Sequence, residues 1–203
     1  MKLMPLFDSA LDDLLARIRG VLVIVRDGRR GKGAGVLAGD GLVLTNNHVA
    51  GGGRSLQVTL EDGSSHQARV LRRNPGADLA LLQIPANGHP AAVFSTREPR
   101  PGEMVFAFGH PWGQPNVLTG GVLSAVTTAR SRGGELPILR SDVQLAPGNS
   151  GGPLLNAAGE VLGLNTMIYG GDQSMAIPAS VIREFLAEAR KTMPRPPVPE
   201  DVL

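Results

Sequence analysis

The most informative stretch of this 203-residue chain reads Gly148-Asn149-Ser150-Gly151-Gly152-Pro153. Its glycines allow a tight turn in which a substrate carbonyl can approach the Ser150 hydroxyl and backbone N–H groups can point at one spot. A lone serine in such a turn is ordinarily structural. Two earlier segments favour a catalytic interpretation, because TNNHVA at 45–50 supplies a base and DLALL at 78–82 supplies a carboxylate.

The order of these groups along the chain separates the possible triad topologies. All four histidines, at positions 48, 66, 89 and 110, precede Ser150. The hexapeptide formally matches the G-x-S-x-G elbow of α/β-hydrolases, but that fold places its histidine after the serine. A subtilisin-like order needs the aspartate before the histidine. The order His48, Asp78, Ser150 is the chymotrypsin order.

His48 is the candidate base because it is predicted to end an apolar strand, where a side chain can be held rigidly at a barrel rim. Of the other histidines, His66 is predicted to lie exposed on a strand, His89 in a loop and His110 in a turn. Asp78 is predicted to orient His48, since it opens an apolar strand and can be partly buried there. Asp142 is the rival carboxylate, but its position eight residues before Ser150 favours the wall of the site.

Composition excludes several classes of protein. The net charge is +2, aromatic residues make up 3% and there is no cysteine, which excludes a disulfide framework, a thiolate metal site and a cysteine nucleophile. Basic pairs such as Arg72-Arg73 are too sparse for a nucleic-acid stripe. No apolar run approaches the ~20 residues of a membrane span, and no cluster has metal-ligand spacing. We therefore expect no metal, no cofactor, no nucleic-acid partner and no membrane span.

The N-terminal segment gives no targeting signal. Asp8, Asp12 and Asp13 interrupt any apolar signal-peptide core after Met1-Lys2. The sequence as written therefore predicts a cytoplasmic protein, or an extracytoplasmic, periplasmic one if a leader has been removed. The absence of cysteine fits either compartment.

Short apolar runs with turn signals between them fill most of residues 21–178. This close spacing predicts about a dozen strands in an all-β sandwich or paired barrels, and the absence of βαβ alternation argues against a parallel sheet. Helical periodicity predicts helices within residues 1–20 and 179–191. The proline-rich residues 193–203 predict a stiff, extended tail.

Eight segments carry a family resemblance: GAGV at 33–36, TNNHVA at 45–50, ADLALLQI at 77–84, AFGHPWG at 107–113, GGVLSAV at 120–126, SDVQLAPGNSGGPL at 141–154, GLNTM at 163–167 and MAIP at 175–178. In this order they resemble the HtrA/DegP family of trypsin-like serine proteases. The resemblance implies an all-β chymotrypsin/trypsin-like fold, a peptidase domain at 21–192, and two six-stranded barrels at about 21–95 and 100–178. The active site would lie between the barrels.

The resemblance also implies roles for individual residues. His48 would be the general base, Asp78 its orienting partner and Ser150 the nucleophile of a serine endopeptidase acting on unfolded polypeptide. The backbone N–H groups of Gly148 and Ser150 would form the oxyanion hole, with Asn149 shaping the loop between them. The implied substrate-binding residues are Gln144, Leu145, Asn165, Thr166 and Ile168.

Specificity follows from what surrounds the implied pocket. Relatives that cut after lysine or arginine carry an aspartate six residues before the nucleophile, where this chain has Gln144. Leu145 and Ile168 fall where the HtrA pattern lines the pocket with aliphatic side chains. A small or medium aliphatic P1 residue is therefore predicted, with broad selectivity because apolar pockets discriminate by only ~1–3 kcal/mol.

HtrA proteins usually carry PDZ domains, and the sequence as written has none. Family members are commonly trimers with contacts near the N-terminus, so Phe7 and the helix after it are candidates for a homotrimer contact. The alternative is that this helix only caps a barrel. A binding or holdase-like module with a latent protease site is the alternative function.

Overall fold

Two closed antiparallel β-barrels, each of six strands, make up most of the described chain. The structure is a computed structural model, and it describes residues 3–28, 32–52, 55–85, 88–114, 116–131, 134–169 and 173–193. Within these ranges no helix is both long enough and apolar enough to span a lipid bilayer. The prediction of an all-β, chymotrypsin-like double barrel is confirmed.

The first barrel runs in the order β1-β2-β3-β6-β5-β4. Its strands are β1 (Leu22–Asp27), β2 (Lys32–Leu37), β3 (Leu42–Asn46), β4 (Leu56–Thr59), β5 (Ser65–Asn74) and β6 (Leu79–Gln83). Every side chain of β3 is buried, because alternate residues face two different apolar surroundings. Val43 points into the barrel core, whereas Leu44 packs in the cluster formed with the C-terminal helix.

The second barrel runs in the order β10-β11-β12-β9-β8-β7. Its strands are β7 (Met104–Gly109), β8 (Val117–Ser131), β9 (Gly134–Ser141), β10 (Pro153–Asn156), β11 (Val161–Tyr169) and β12 (Gln173–Pro178). β10 pairs with β11 only as far as the partners Pro153 and Leu164, whereas β12 pairs with β11 as far as Tyr169. One edge of β11 beyond Leu164 therefore has no strand neighbour among the described residues.

Three α-helices complete the described fold: α1 (Leu3–Arg19), α2 (Asn47–Ala50) and α3 (Ala179–Thr192). Leu14 and Ile18 of α1 are buried in the same apolar cluster as the first-barrel strands, so this part of α1 caps the barrel. In α3, Ile182 and Phe185 pack in the cluster that contains Leu44. This helical spacing buries one face of each helix and leaves its charged face in solvent.

Residues 47–50 differ from the prediction. His48 does not end a strand: β3 stops at Asn46, and His48 lies on the single turn of α2. The apolar periodicity of residues 42–50 could not reveal this turn, because the contacts that hold it come from β5 and from the turn before β6. Of the predicted tail at 193–203, only Met193 is among the described residues.

Candidate active site

His48 is held against Asp78 by two hydrogen bonds. The imidazole Nδ1 lies 2.8 Å from Asp78 Oδ2, and the backbone N–H of His48 donates to Oδ1 at 3.0 Å. With an ionised carboxylate as acceptor, Nδ1 carries the proton and Nε2 is left with its lone pair. The predicted base and carboxylate are therefore brought together, and the carboxylate fixes the orientation and the tautomer of the imidazole.

Asp78 occupies an unusual backbone conformation that aims its carboxylate at α2. Its φ is +52°, in the left-handed region that aspartate tolerates better than most residues. The Asp78 carbonyl accepts hydrogen bonds from Asn46 Nδ2 at 3.1 Å and from the Asn47 N–H at 3.0 Å. The turn before it is closed by Asn74 Oδ1, which accepts from the Ala77 N–H at 3.0 Å. Backbone and carboxylate of Asp78 are thus both tied to α2.

The charge of the Asp78 carboxylate is stabilised by donors. Burial raises the pKa of Asp78, but hydrogen bonds from His48 and Thr166 outweigh burial, so that its pKa lies below the ordinary value. Thr166 Oγ1 donates to Asp78 Oδ2 at 2.6 Å. Asp78 is therefore anionic at neutral pH and can stabilise an imidazolium on His48.

The Ser150 hydroxyl is directed at the strand that carries Thr166. Ser150 Oγ donates to the Thr166 carbonyl at 3.0 Å, and no hydrogen bond joins it to His48 among the described residues. Thr166 therefore contacts both the carboxylate and the serine. The hydroxyl has to turn away from the Thr166 carbonyl before it can donate to His48 Nε2.

The loop before Ser150 leaves two backbone donors available. Gly148 has φ +111°, and a Cβ built there would lie 2.2 Å from the carbonyl oxygen of His110, so only glycine fits. Asn149 donates its N–H to Ala146 at 3.0 Å. In the described part of the chain, the N–H groups of Gly148 and Ser150 have no acceptor. They are therefore available to donate to a substrate oxygen.

The predicted substrate-binding residues do not all line an open surface. Gln144 is exposed, and Leu145 is half-buried against the core of the second barrel. Asn165 is fully buried: its side chain donates to Pro153 at 2.9 Å, and its N–H and C=O bond Gly152 and Gly151, both at 2.9 Å. Its Oδ1 has no hydrogen-bond partner among the described residues, but the side chain is completely buried and does not face a substrate. The side chain of Ile168 lies outside the described residues.

The rival carboxylate is occupied elsewhere. Asp142 Oδ1 accepts a 2.6 Å hydrogen bond from the Val122 N–H of β8. A Cβ built on Gly121 would lie 2.3 Å from the same oxygen, so the carboxylate sits tightly against β8. Asp78, and not Asp142, is the partner of His48 in this structure.

His110 lies at a turn, as predicted, and it is buried beside the loop that precedes Ser150. Its side chain is 6% exposed, and its Nδ1 accepts a hydrogen bond from the Asn116 N–H at 3.3 Å. Burial lowers the pKa of His110 to about 4, so its ring is neutral at physiological pH. Its backbone carbonyl is the oxygen that packs on Gly148.

Two contacts at this site carry no signal in the sequence. Thr166 reaches Asp78 across 88 positions, and Arg73 reaches Asn47 across 26. The resemblance implies Thr166 only as a substrate-binding residue, and Arg73 lies in no segment that indicates a role with α2. Within the described ranges, no group of three or more histidine, cysteine and acidic side chains could hold a metal ion.

Comparisons with known proteins show the family of the chain. The family model of a trypsin-like peptidase domain matches residues 33–164. Serine protease HTRA1 of Xenopus tropicalis is 40% identical over 163 residues, covering 76% of this chain and 35% of the relative. A probable periplasmic serine endoprotease, DegP-like, of Marinomonas sp. (strain MWYL1) is 40% identical over 152 residues, covering 72% of this chain and 32% of the relative.

The solved structures include a neighbour of the same type. The crystal structure of the serine endoprotease from Yersinia pestis superposes with a TM-score of 0.80 and 28% identity, over 89% of this chain and 66% of that chain. The chain spans about a third of the length of the curated relatives, at 35% and 32% of two of them. The resemblance inferred from the motifs is confirmed, and the chain belongs to the trypsin-like peptidase family, as a member of its HtrA/DegP type.

Proposed function

We propose that this chain is a serine endopeptidase that hydrolyses peptide bonds in unfolded or misfolded proteins. The observation that carries the proposal is the 2.8 Å contact between His48 Nδ1 and Asp78 Oδ2. This contact leaves Nε2 free to accept a proton from Ser150. The names of the HtrA and DegP-like relatives support the same activity.

The proposed reaction uses each group in turn. Ser150 Oγ attacks the substrate carbonyl carbon while its proton passes to His48 Nε2, and Asp78 stabilises the imidazolium. The N–H groups of Gly148 and Ser150 bind the oxygen that becomes negative. His48 then gives the proton to the leaving amine, which breaks the C–N bond. Water hydrolyses the acyl-enzyme by the reverse sequence of proton transfers.

An extended substrate fits the free edge of β11. Beyond Asn165, which is bonded to Gly151 and Gly152, this strand is paired with β12 on one side and has no described strand neighbour on the other. A polypeptide in extended conformation can add to such an edge by backbone hydrogen bonds. Compact proteins do not offer such segments, which supports unfolded polypeptide as the substrate class.

An aliphatic P1 residue is proposed for the pocket beside Ser150. Gln144 brings no negative charge to the position that binds a basic P1 residue in related enzymes. Leu145 packs on the apolar core of the second barrel, and the Asp142 carboxylate is bonded to β8. A lysine or arginine entering this pocket would lose water without gaining a counter-ion, which is costly.

A homotrimer remains a prediction. Leu14 and Ile18 of α1 are committed to the barrel core, so that the contact would use the opposite face of α1 or the residues before it. The Phe7 side chain lies outside the described residues. Light scattering of the purified chain measures the mass directly, and a monomer at every concentration would contradict the prediction.

Labelling with a fluorophosphonate tests the peptidase proposal. The wild-type chain should be labelled and should cleave casein, whereas Ser150→Ala should do neither and should retain the native circular dichroism spectrum. EDTA should leave cleavage unchanged. The hydrogen bond from Ser150 to Thr166 favours a second candidate, a latent protease that binds unfolded protein. An unlabelled wild type that still suppresses client aggregation would support that candidate instead.

A further inference from the structure

The helical turn that carries His48 is too short to be stable without contacts from other elements. α2 has four residues, and the Gly51 N–H closes it by donating to the carbonyls of Asn47 and His48, at 3.1 and 3.2 Å. A single turn leaves most of its backbone groups without partners and is unstable alone. The position of the imidazole therefore depends on contacts from other elements.

Asp78 provides these contacts at the beginning of α2. Its carbonyl accepts from the Asn47 N–H at 3.0 Å, and its Oδ1 accepts from the His48 N–H at 3.0 Å. These two bonds fix the first N–H groups of the turn. They do not involve the carbonyl groups at the other end of the turn.

Arg73 binds the Ala50 carbonyl at that other end and also binds Asn47, the first residue of the turn. Its Nη1 donates to Asn47 Oδ1 at 2.9 Å and lies 3.4 Å from the Asn47 carbonyl, and its Nη2 donates to the Ala50 carbonyl at 3.3 Å. The planar guanidinium can bind three acceptors in a fixed arrangement, which a lysine ammonium does not reproduce. A cation is also favoured beside helix carbonyls.

Asp78 and Arg73, which make these hydrogen bonds to α2, belong to one β-hairpin. Arg73 lies next to the end of β5, where it pairs with Ala80, and Asp78 ends the turn that leads into β6. A bulge between Val70 and Arg72 changes the register of β5 just before Arg73. Bulges redirect side chains near active sites. The turn that carries His48 is therefore bound by two residues of one hairpin, Asp78 at its N–H groups and Arg73 at its carbonyls.

We infer that Arg73 is a positioning residue for His48: by holding Asn47 and Ala50 it keeps the imidazole in line between Asp78 and Ser150. The inference rests on the proposed peptidase function. Arg73 contacts neither the described substrate edge nor Ser150, so its removal should change the turnover step and not substrate binding. A misplacement of about 1 Å in a catalytic group can cost about 100-fold in rate.

The adjacent residue provides a matched control. Arg72 is also half-buried on β5, but it donates to Glu188 Oε2 at 2.6 Å and lies over the Phe185 ring at 5.9 Å. It contacts α3 and has no bond to α2 among the described residues. Arg72→Met therefore removes a guanidinium of similar burial from the same strand without touching the turn of His48.

The experiment compares Arg73→Met, Arg73→Lys and Arg72→Met in the intact chain, with kcat normalised to active sites by fluorophosphonate titration. Arg73→Met should lose about 10- to 100-fold in kcat with KM unchanged within about twofold. Arg73→Lys should recover only part of the loss, and added guanidinium ion should partly restore Arg73→Met. Arg72→Met should keep the wild-type kcat. Equal kcat in Arg73→Met and Arg72→Met would overturn the inference.

Hydrogen exchange separates this inference from the activity. In Arg73→Met, exchange of the backbone amides at residues 48–51 should accelerate relative to wild type, whereas Arg72→Met should leave it unchanged. This readout does not need a cleaved substrate. A wild type without cleavage refutes the proposed function but still allows the exchange comparison, and unchanged exchange in Arg73→Met would refute the role of Arg73.

Discussion

Thr166 donates a 2.6 Å hydrogen bond from its hydroxyl to Asp78 Oδ2, the same oxygen that lies 2.8 Å from His48 Nδ1. The other carboxylate oxygen is bound by the His48 N–H at 3.0 Å. Three donors therefore fix the plane of the carboxylate and keep it ionised. Such outer contacts determine how well the base is aligned, although they do not touch a substrate.

The Thr166 hydroxyl should therefore matter for turnover. Thr166→Val keeps the shape but removes the donor, and we expect kcat to fall about 10- to 100-fold, since a hydrogen bond to a charged group contributes about 1.5–3 kcal/mol. Thr166→Ser retains the hydroxyl and should stay within a few-fold of wild type. Steady-state kinetics on a chromogenic peptide measures both. Equal loss in the two variants would assign the effect to packing.

His48 and Asp78 should behave as one unit. His48→Ala and Asp78→Asn should each lose several orders of magnitude in kcat, and the double variant should be little worse than His48→Ala alone. The reason is that Asp78 acts only through the imidazole that it binds. A double-mutant cycle on the kcat of casein or peptide cleavage gives the coupling free energy between the two residues. Additive losses in the logarithm of kcat would contradict the orienting role of Asp78.

Gly148 should tolerate no side chain. Gly148→Ala would adopt φ +111° with a Cβ 2.2 Å from the His110 carbonyl, so that the loop must shift and move its N–H group. Loss of one oxyanion donor costs about 100- to 1000-fold in kcat. Gly63→Ala is the control: Gly63 has φ +84° in a hairpin turn with no atom within 4 Å of the added Cβ. It should lower thermal stability while leaving kcat unchanged.

Peptides with valine, alanine or leucine at P1 should be cleaved faster than peptides with lysine or arginine. The half-buried Leu145 and the uncharged Gln144 give a basic side chain no counter-ion. A peptide library with mass-spectrometric readout ranks kcat/KM at P1. Dominant cleavage after arginine or lysine would mean that a carboxylate reaches the pocket.

His110 should make the fold sensitive to mild acid. Burial holds its pKa at about 4, whereas a histidine in an unfolded chain has a pKa of about 6.5. Between these values the unfolded state binds a proton that the folded state does not. The free energy of unfolding should therefore fall by up to about 3 kcal/mol as pH decreases from about 6.5 to 4.

His110→Asn tests this pH dependence, because asparagine retains an acceptor for the Asn116 N–H but does not titrate. Urea unfolding at several pH values gives the free energy of unfolding of both proteins. The difference in the free energy of unfolding between wild type and variant should change between about pH 6.5 and pH 4. Parallel curves would show that His110 does not titrate on unfolding.

The strands could be predicted from the sequence because each is a local pattern. The strand-like runs LALLQI at 79–84 and VLGLNT at 161–166 correspond to β6 and β11, with ends shifted by up to three residues. The motifs also placed His48, Asp78 and Ser150 in the chymotrypsin order. Sequence reasoning was wrong about α2, and it gave no sign that His110 is buried, since both depend on contacts between distant segments.

The sequence by itself determined the strand pattern, the order of the three reactive residues and the glycines at which the oxyanion loop turns. These depend on side-chain type and on local backbone conformation. Only the tertiary structure decided that α2 is clamped by Arg73 and Asp78, which lie 26 and 30 positions from their partners, and that Asn165 is buried instead of facing a substrate. Such contacts form when two barrels close, and barrel closure brings together residues that no local pattern connects.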